Sequence, residues 1–180
     1  MGEAEGRSVG KAQSMPIEPE VGCAVLREMV SELERSGLKY WLGRGVFRHW
    51  RRHREFGGKQ DDVDFHVLRQ EEAQLRSVVH DLCRMGYEKV LWDDKGHKIP
   101  LKKATVPIEL IFLERKGRNL SFRAEGTGNK LYTCPAWVFG NRTLKICGVK
   151  VRVPGDQYLP VVYGPNWKAE EEDNGGVTIC

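Results

Sequence analysis

The sequence predicts one mixed α/β (α+β) domain, and three observations carry that prediction. In the first half, segments with apolar residues at helical spacing alternate with short apolar runs that suit strands. In the second half, strand-like runs crowd together with little helix between them. The chain has 180 residues, 40% hydrophobic and 30% charged, which is enough for one hydrophobic core without covalent staples.

Residues 1–15 are small, polar and aperiodic and read as a disordered tail. The folded domain is expected over 16–168, with 169–180 as a flexible C-terminal end. Pro16 and Pro19 introduce the first helix. Val21, Val25, Leu26, Met29, Val30 and Leu33 recur along one face, and Gly37 stands at the C-terminal cap. Leu38 to Leu42 reads as a short strand, broken by Gly43-Arg44-Gly45. A second helix carrying Phe47 and Trp50 among basic residues follows, then a loop at Phe56-Gly57-Gly58. Val63, Phe65, Val67 and Leu68 form the next strand, alternating with Asp62, Asp64 and His66. Glu71 to Met85 is amphipathic, with Leu75, Val78, Val79, Leu82 and Cys83 inward and Gly86 as the stop. Tyr87 to Trp92 reads as a strand and Asp93-Asp94-Lys95-Gly96 as a turn. Ile99 to Lys103 and Val106 to Leu113 read as two further strands. Leu144 to Ile146 and Val149 to Val153 form a hairpin about Cys147-Gly148. Pro154 to Tyr163 is the last expected helix, and the acidic run Glu170-Glu171-Glu172-Asp173 belongs to the flexible end.

Net charge is +4, a mild excess that favours anionic or phosphorylated ligands. No stretch approaches the apolar length of a membrane span, and the first residues carry no apolar signal-peptide core. Cys23, Cys83, Cys134, Cys147 and Cys180 are scattered, with no Cys-x-x-Cys pair. They read as reduced thiols of a cytoplasmic protein, with a luminal piece of a longer chain as the alternative.

The segment from Gly43 to Leu68 carries the chemistry. A glycine turn closes one strand and opens a helix, and the next strand carries Asp62-Val63-Asp64. Strand alternation puts both carboxylates on one face, about 7 Å apart along the chain. Such a pair repels unless a cation sits between, and hard divalent cations bind carboxylate oxygens and bring phosphates with them. Backbone amides at Gly43, Arg44 and Gly45 suit a phosphate, helped by the helix start behind them. A third acid from a neighbouring strand would complete a metal site. Glu109, in Pro107-Ile108-Glu109-Leu110-Ile111-Phe112, is the best candidate because strand apolars flank it on both sides.

These residues resemble the LicD/fukutin family of the nucleotidyltransferase superfamily. The family pattern runs Trp-Leu, a Gly-Thr-Leu-Leu-Gly turn, Arg-His, Gly-Phe-Ile-Pro and then Asp-Asp-Asp-Ile-Asp. Laid on this chain without a gap, Gly45 falls on the first glycine, Arg52-His53 on Arg-His, Phe56 on the phenylalanine and Asp61-Asp62-Val63-Asp64 on the acidic motif. Ile108-Glu109-Leu110-Ile111-Phe112 resembles the later strand with the third acid. Val151-Arg152-Val153-Pro154, Asp156-Gln157-Tyr158-Leu159 and Tyr163-Gly164-Pro165-Asn166-Trp167 resemble the closing stretch. The resemblance spans roughly residues 36–168. Val46-Phe47-Arg48-His49 departs from the family turn, Gln60 replaces the first acid, Gly57-Gly58 replaces Ile-Pro, and Glu109 is longer than the usual Asp.

The resemblance implies a minimal nucleotidyltransferase fold, a mixed sheet flanked by helices. It implies an Mg²⁺- or Mn²⁺-dependent enzyme moving a phospho-alcohol, such as phosphocholine or a phospho-polyol, from a CDP-linked donor to a hydroxyl acceptor such as a glycan. Asp62, Asp64 and Glu109 would hold the metal and carry the catalysis, with Asp64 or Glu109 taking the hydroxyl proton. Gly43, Arg44, Gly45, Arg48, Arg52, Asp61 and Lys103 would bind the nucleotide donor. One alternative on the same fold transfers a nucleoside monophosphate from an NTP to a small molecule or protein. Another, of a different class, is a noncatalytic nucleotide- or RNA-binding protein using the arginines. The absence of any recognisable nucleic-acid motif disfavours nucleic acid as partner.

The remaining candidates have plainer readings. Most arginines of the run Arg44, Arg48, Arg51, Arg52 and Arg54 read as a solvated face. His66 follows the acids on their face and reads as structural or as support for them. Lys102 or Lys103, ahead of the Glu109 strand, offers a phosphate contact. Tyr163 and Trp167 read as packing residues of the last helix.

Overall fold

The computed structural model describes residues 15–57, 60–90, 96–124 and 129–169. The expected tail (all but Met15), Gly58, the end of the Tyr87–Trp92 strand, the turn at Asp93-Asp94-Lys95 and the end from Glu170 onward lie outside these residues.

Helix α1 runs Pro19–Ser36. It starts where proline at the first position costs no hydrogen bond, and the Glu18 carboxylate accepts from the amides of Glu20 and Val21. It stops at Gly37, whose φ of 74° is the left-handed conformation that glycine adopts without strain. Strand β1 (Tyr40–Leu42), helix α2 (Arg44–His53), strand β2 (Val63–Leu68) and helix α3 (Glu72–Arg84) follow. Then come strands β3 (Glu88–Lys89), β4 (Lys98–Lys103), β5 (Val106–Lys116), β6 (Asn119–Ala124) and β7 (Lys130–Pro135). Strands β8 (Thr143–Ile146) and β9 (Val149–Arg152) form a separate hairpin, and helix α4 is Tyr158–Tyr163.

The main sheet has the order β1-β2-β5-β4-β3. Strand β2 runs parallel to β5, while β1 pairs antiparallel with β2, β4 with β5, and β3 with β4. The parallel pair requires a crossover, which α3 supplies. The long β5 extends past β2, and its last residues pair with β6, which pairs with β7.

The two faces of the sheet are covered differently. Lys103 of β4 ion-pairs with Glu28 of α1, so the face carrying Lys103, Leu101 and Ile99 looks toward α1. The opposite face of β2, carrying Asp64 and His66, meets Tyr158 of α4, Phe122 of β6 and Phe139. With both faces covered, all six residues of β2 are buried.

Four sequence expectations change. Strands β6 and β7 add to the sheet, and α4 is shorter than Pro154–Tyr163. Cys83 is exposed, lying outside the buried stripe of Leu75, Val78, Val79 and Leu82. The thiols are not all reduced: Cys23 of α1 and Cys147 of the β8–β9 turn form a disulfide, while Cys83 and Cys134 are free. The pairing went unseen because 124 residues separate the two cysteines, and only the packing of the hairpin against α1 brings them together. Among the described residues no helix is long and apolar enough to cross a membrane.

Candidate active site

The site forms where β1 gives way to α2 beside the start of β2. Leu42 pairs with Phe65, and the Gly43 amide donates to the Asp64 carbonyl at 2.9 Å, so the turn is laced to the acidic strand. A Cβ built on Gly43 would lie 2.5 Å from His66 Nε2 and 2.8 Å from the Tyr158 hydroxyl. Glycine is therefore required here by close approach. Gly45, in the first turn of α2, has ordinary room, with Gln60 Cγ at 3.7 Å. Arg44 opens α2 with φ 49°, a strained value for a residue with a side chain. Its amide donates to the Tyr158 hydroxyl at 3.1 Å, which fixes that strained backbone.

Asp62 stands just before β2, Asp64 is its second residue, and Glu109 is the direct register partner of Asp64 on β5. Their carboxylates converge, with one oxygen of each within 4.8 Å of the others. Asp64 is buried, and both of its oxygens lack a hydrogen-bond partner among the described residues. Arg44 Nε approaches Asp64 Oδ2 at 3.1 Å as a charge contact, and Lys98 Nζ reaches Glu109 Oε1 at 2.5 Å.

The electrostatics follow from this crowding. Burial, with help from Asp61 and Glu109, pushes Asp62 up to about 6. Burial and the neighbouring Asp62 hold Asp64 well above the usual carboxylate range. His66 is lowered to about 3 by burial and by Arg44, so its ring is neutral. Its Nε2 lies 2.7 Å from the Tyr158 hydroxyl. Tyr163 is raised by burial and by Asp64.

The expected nucleotide-binding residues divide. Gly43, Arg44 and Asp61 lie at the acids. Arg48 instead donates from Nε to the Trp167 carbonyl at 3.0 Å and stacks over Tyr163, tying the C-terminal segment to α2. Arg52 lies two turns beyond Arg44, a rise of about 12 Å. Lys103 does not reach the site. It bonds Glu28 and the Met85 carbonyl and covers Tyr87, because odd-numbered residues of β4 face α1. Lys102 is exposed, and the β4 lysine that meets the acids is Lys98, which shares the face of Glu109. The basic run is not a free solvated face: Arg51 pairs with Asp156 at 2.9 Å, and Arg142 joins the same carboxylate at 2.8 Å. Sequence reasoning passed over Lys98 and Tyr158 as site residues. Only the β4–β5 register, with Pro100 opposite Glu109, puts Lys98 on the face of the acids.

The acids fit a hard divalent cation: the donors are all oxygen, they converge, and Asp64 has unpartnered buried oxygens.

No family model matches the chain, and no curated protein matches it. Solved structures do. The crystal structure of ANT(2'')-Ia in complex with adenylyl-2''-tobramycin superposes with a TM-score of 0.50 at 15% identity, over 75% of this chain and 70% of that one. The solution structure of the antibiotic-resistance factor ANT(2'')-Ia gives 0.53 at 15% identity, over 84% and 80%. The fold is that of the nucleotidyltransferases. The LicD/fukutin resemblance in particular is carried by the sequence motifs alone.

Proposed function

We propose that the chain is a nucleotidyltransferase that moves a nucleoside monophosphate from an NTP to a hydroxyl of a small molecule or glycan. The observation that carries the reading is the convergence of Asp62, Asp64 and Glu109 beside a glycine turn. The neighbour's adenylylated tobramycin favours nucleotidyl transfer over transfer from a CDP-linked alcohol.

In this reading Asp62, Asp64 and Glu109 hold Mg²⁺ or Mn²⁺, which supplies charge neutralisation at the donor phosphates. The chain's own residues do the rest. The Gly43–Gly45 backbone and Arg44 position the polyphosphate. Glu109, with its side chain 18% exposed against 1% for Asp64, is the acid an incoming hydroxyl can reach, so it takes the proton. The acceptor oxygen bonds the α-phosphorus while the bond from that phosphorus to the leaving pyrophosphate breaks. The binding-only reading on RNA is disfavoured, since Arg44, Arg48 and Arg51 are already engaged within the protein.

Thermal shift with ATP, GTP, CTP, UTP, CDP-choline and CDP-polyols, with and without Mg²⁺, tests the donor. A ligand at 100 times its dissociation constant adds about 2.7 kcal/mol. Stabilisation by an NTP, with pyrophosphate released on adding a polyhydroxyl acceptor, supports the proposal. Stabilisation by CDP-linked donors alone, with no pyrophosphate from any NTP, overturns it in favour of phospho-alcohol transfer.

A further inference from the structure

Three carboxylates within 4.8 Å make a site that repels itself, yet each side of it already holds a cation. Arg44 is the first residue of α2 and meets Asp64 at 3.1 Å; Lys98 comes from β4 and meets Glu109 at 2.5 Å. Neither is an ordinary surface pair. The Arg44 side chain is 19% exposed and that of Lys98 10%. They already offset the charge on two of the three acids that a divalent cation needs. An ion entering alone would come to lie beside two positive groups among largely buried carboxylates, where like charges repel strongly. A polyphosphate arriving with the ion changes that balance, because it gives an ammonium and a guanidinium new anionic partners within reach.

We infer that Arg44 and Lys98 are resident counter-ions that hold the acidic triad against free divalent cations and pass to the donor's phosphates when metal and nucleotide enter together, so that the ligand this site takes is the metal–nucleotide complex. The inference rests on the nucleotidyl-transfer reading. Its thermodynamic form is a positive coupling between metal and nucleotide, which must be the same whichever is added first. The two cations are not equivalent. The Arg44 backbone is pinned by the Tyr158 hydroxyl, so only its side chain swings. Lys98 sits on a strand with a flexible stem and is the cleaner residue to change.

The test is Mn²⁺ binding to the full chain, followed by the loss of the free-ion paramagnetic resonance signal, with and without ATP. Wild type should bind Mn²⁺ weakly alone and at least tenfold more tightly when ATP is present, beyond what Mn–ATP association in solution accounts for. Lys98→Met, close in length but neutral, should bind bare Mn²⁺ at least tenfold more tightly than wild type and Mn–ATP more weakly. Lys98→Arg, which keeps the charge, should leave bare Mn²⁺ affinity near wild type. A lysine that only holds the sheet together would instead lower stability without raising metal affinity, and that result in Lys98→Met overturns the inference. Should Lys98→Met not fold, the wild-type coupling decides: equal Mn²⁺ affinity with and without ATP sinks the idea. Wild type that binds Mn–ATP while Lys98→Met shows no gain refutes the counter-ion role alone. Wild type that binds Mn²⁺ but no nucleotide refutes the nucleotidyl-transfer reading as well.

Discussion

Asp64 and Glu109 stand directly opposite one another across the parallel β2–β5 pairing, which holds two acids on one face of the sheet at adjacent strands. In parallel sheets such positions are normally apolar, since both faces are covered. Keeping two carboxylates there costs stability unless something positive joins them.

Asp64→Asn follows from that cost. The change removes a charge and almost no volume, so packing should survive. Turnover should fall on the order of a thousandfold, since a lost contact worth several kcal/mol at the transition state is tenfold in rate for each 1.36 kcal/mol. Metal-free stability should stay level or rise slightly, because burial and Asp62 already disfavour the charged form. The stabilisation by Mg²⁺ should shrink. Steady-state kinetics beside a melting curve measure all three, and a variant with wild-type turnover would remove Asp64 from the mechanism.

The raised carboxylates also set a pH dependence. Asp62 titrates near 4 in an unfolded chain but at about 6 in the folded one. Between those values the folded state holds protons that the unfolded state has released, so metal-free stability falls as pH rises through about 6. Melting temperatures taken from pH 4 to 7 should show this decline in wild type, a smaller one with Mg²⁺, and a smaller one in Asp62→Asn. An unchanged slope in Asp62→Asn would show that the decline comes from other groups.

The two glycines of the turn should separate cleanly. At Gly43 a methyl group would meet the fully buried His66 and Tyr158, neither of which has space to retreat. Gly43→Ala should cost about 1–3 kcal/mol, in the range of overpacking, and lower donor affinity by moving the turn. Gly45→Ala meets nothing closer than 3.7 Å and lies in a helix, so it should be neutral or stabilise by up to about 1 kcal/mol. Equal effects at both positions would mean that the turn is more plastic than its contacts indicate.

The disulfide gives a fourth handle. A bridge closing a loop of 124 residues stabilises by limiting the unfolded chain, typically about 2–5 kcal/mol. Cys23→Ser with Cys147→Ser, or wild type under strong reductant, should melt at lower temperature. Identical melting with and without reductant would show that the bridge contributes nothing in solution.

Much of this was legible in the sequence, for definite reasons. The α1 boundaries follow from Pro19 and Gly37, and the sharing of one face by Asp62 and Asp64 follows from strand alternation. Glu109 was legible because an acid inside Ile-Glu-Leu-Ile-Phe has to face something other than the core. What escaped depends on chain partners far apart. Strands β6 and β7 were missed although Gly117, with φ 61°, marks a tight turn between runs that alternate. Lys98 and Lys103 could not be ranked until the β4 register assigned them to opposite faces. Cys23 and Cys147 meet only because the β8–β9 turn docks on α1.

Tyr158 is the other residue that only the fold discloses, and it supports the last prediction. Its hydroxyl accepts from the strained Arg44 amide at 3.1 Å and lies 2.7 Å from His66 Nε2, inside a ring of Phe47, Phe122 and Phe139. His66 is neutral, so the hydroxyl is paired with Nε2 in whichever tautomer the ring adopts, and in both it accepts from the Arg44 amide. Tyr158→Phe keeps the ring packing and removes that single oxygen. The Arg44 amide and the imidazole then lose a buried partner, at a cost of about 1–3 kcal/mol. Without that bond the Arg44 backbone can relax from φ 49° toward an ordinary helical value, which would draw its side chain away from Asp64. Donor KM should therefore rise together with a fall in kcat, whereas a purely structural role would lower the melting temperature and leave the kinetics of the folded fraction unchanged. Wild-type kinetics in a Tyr158→Phe protein of reduced stability would show that the hydroxyl holds the core and not the turn.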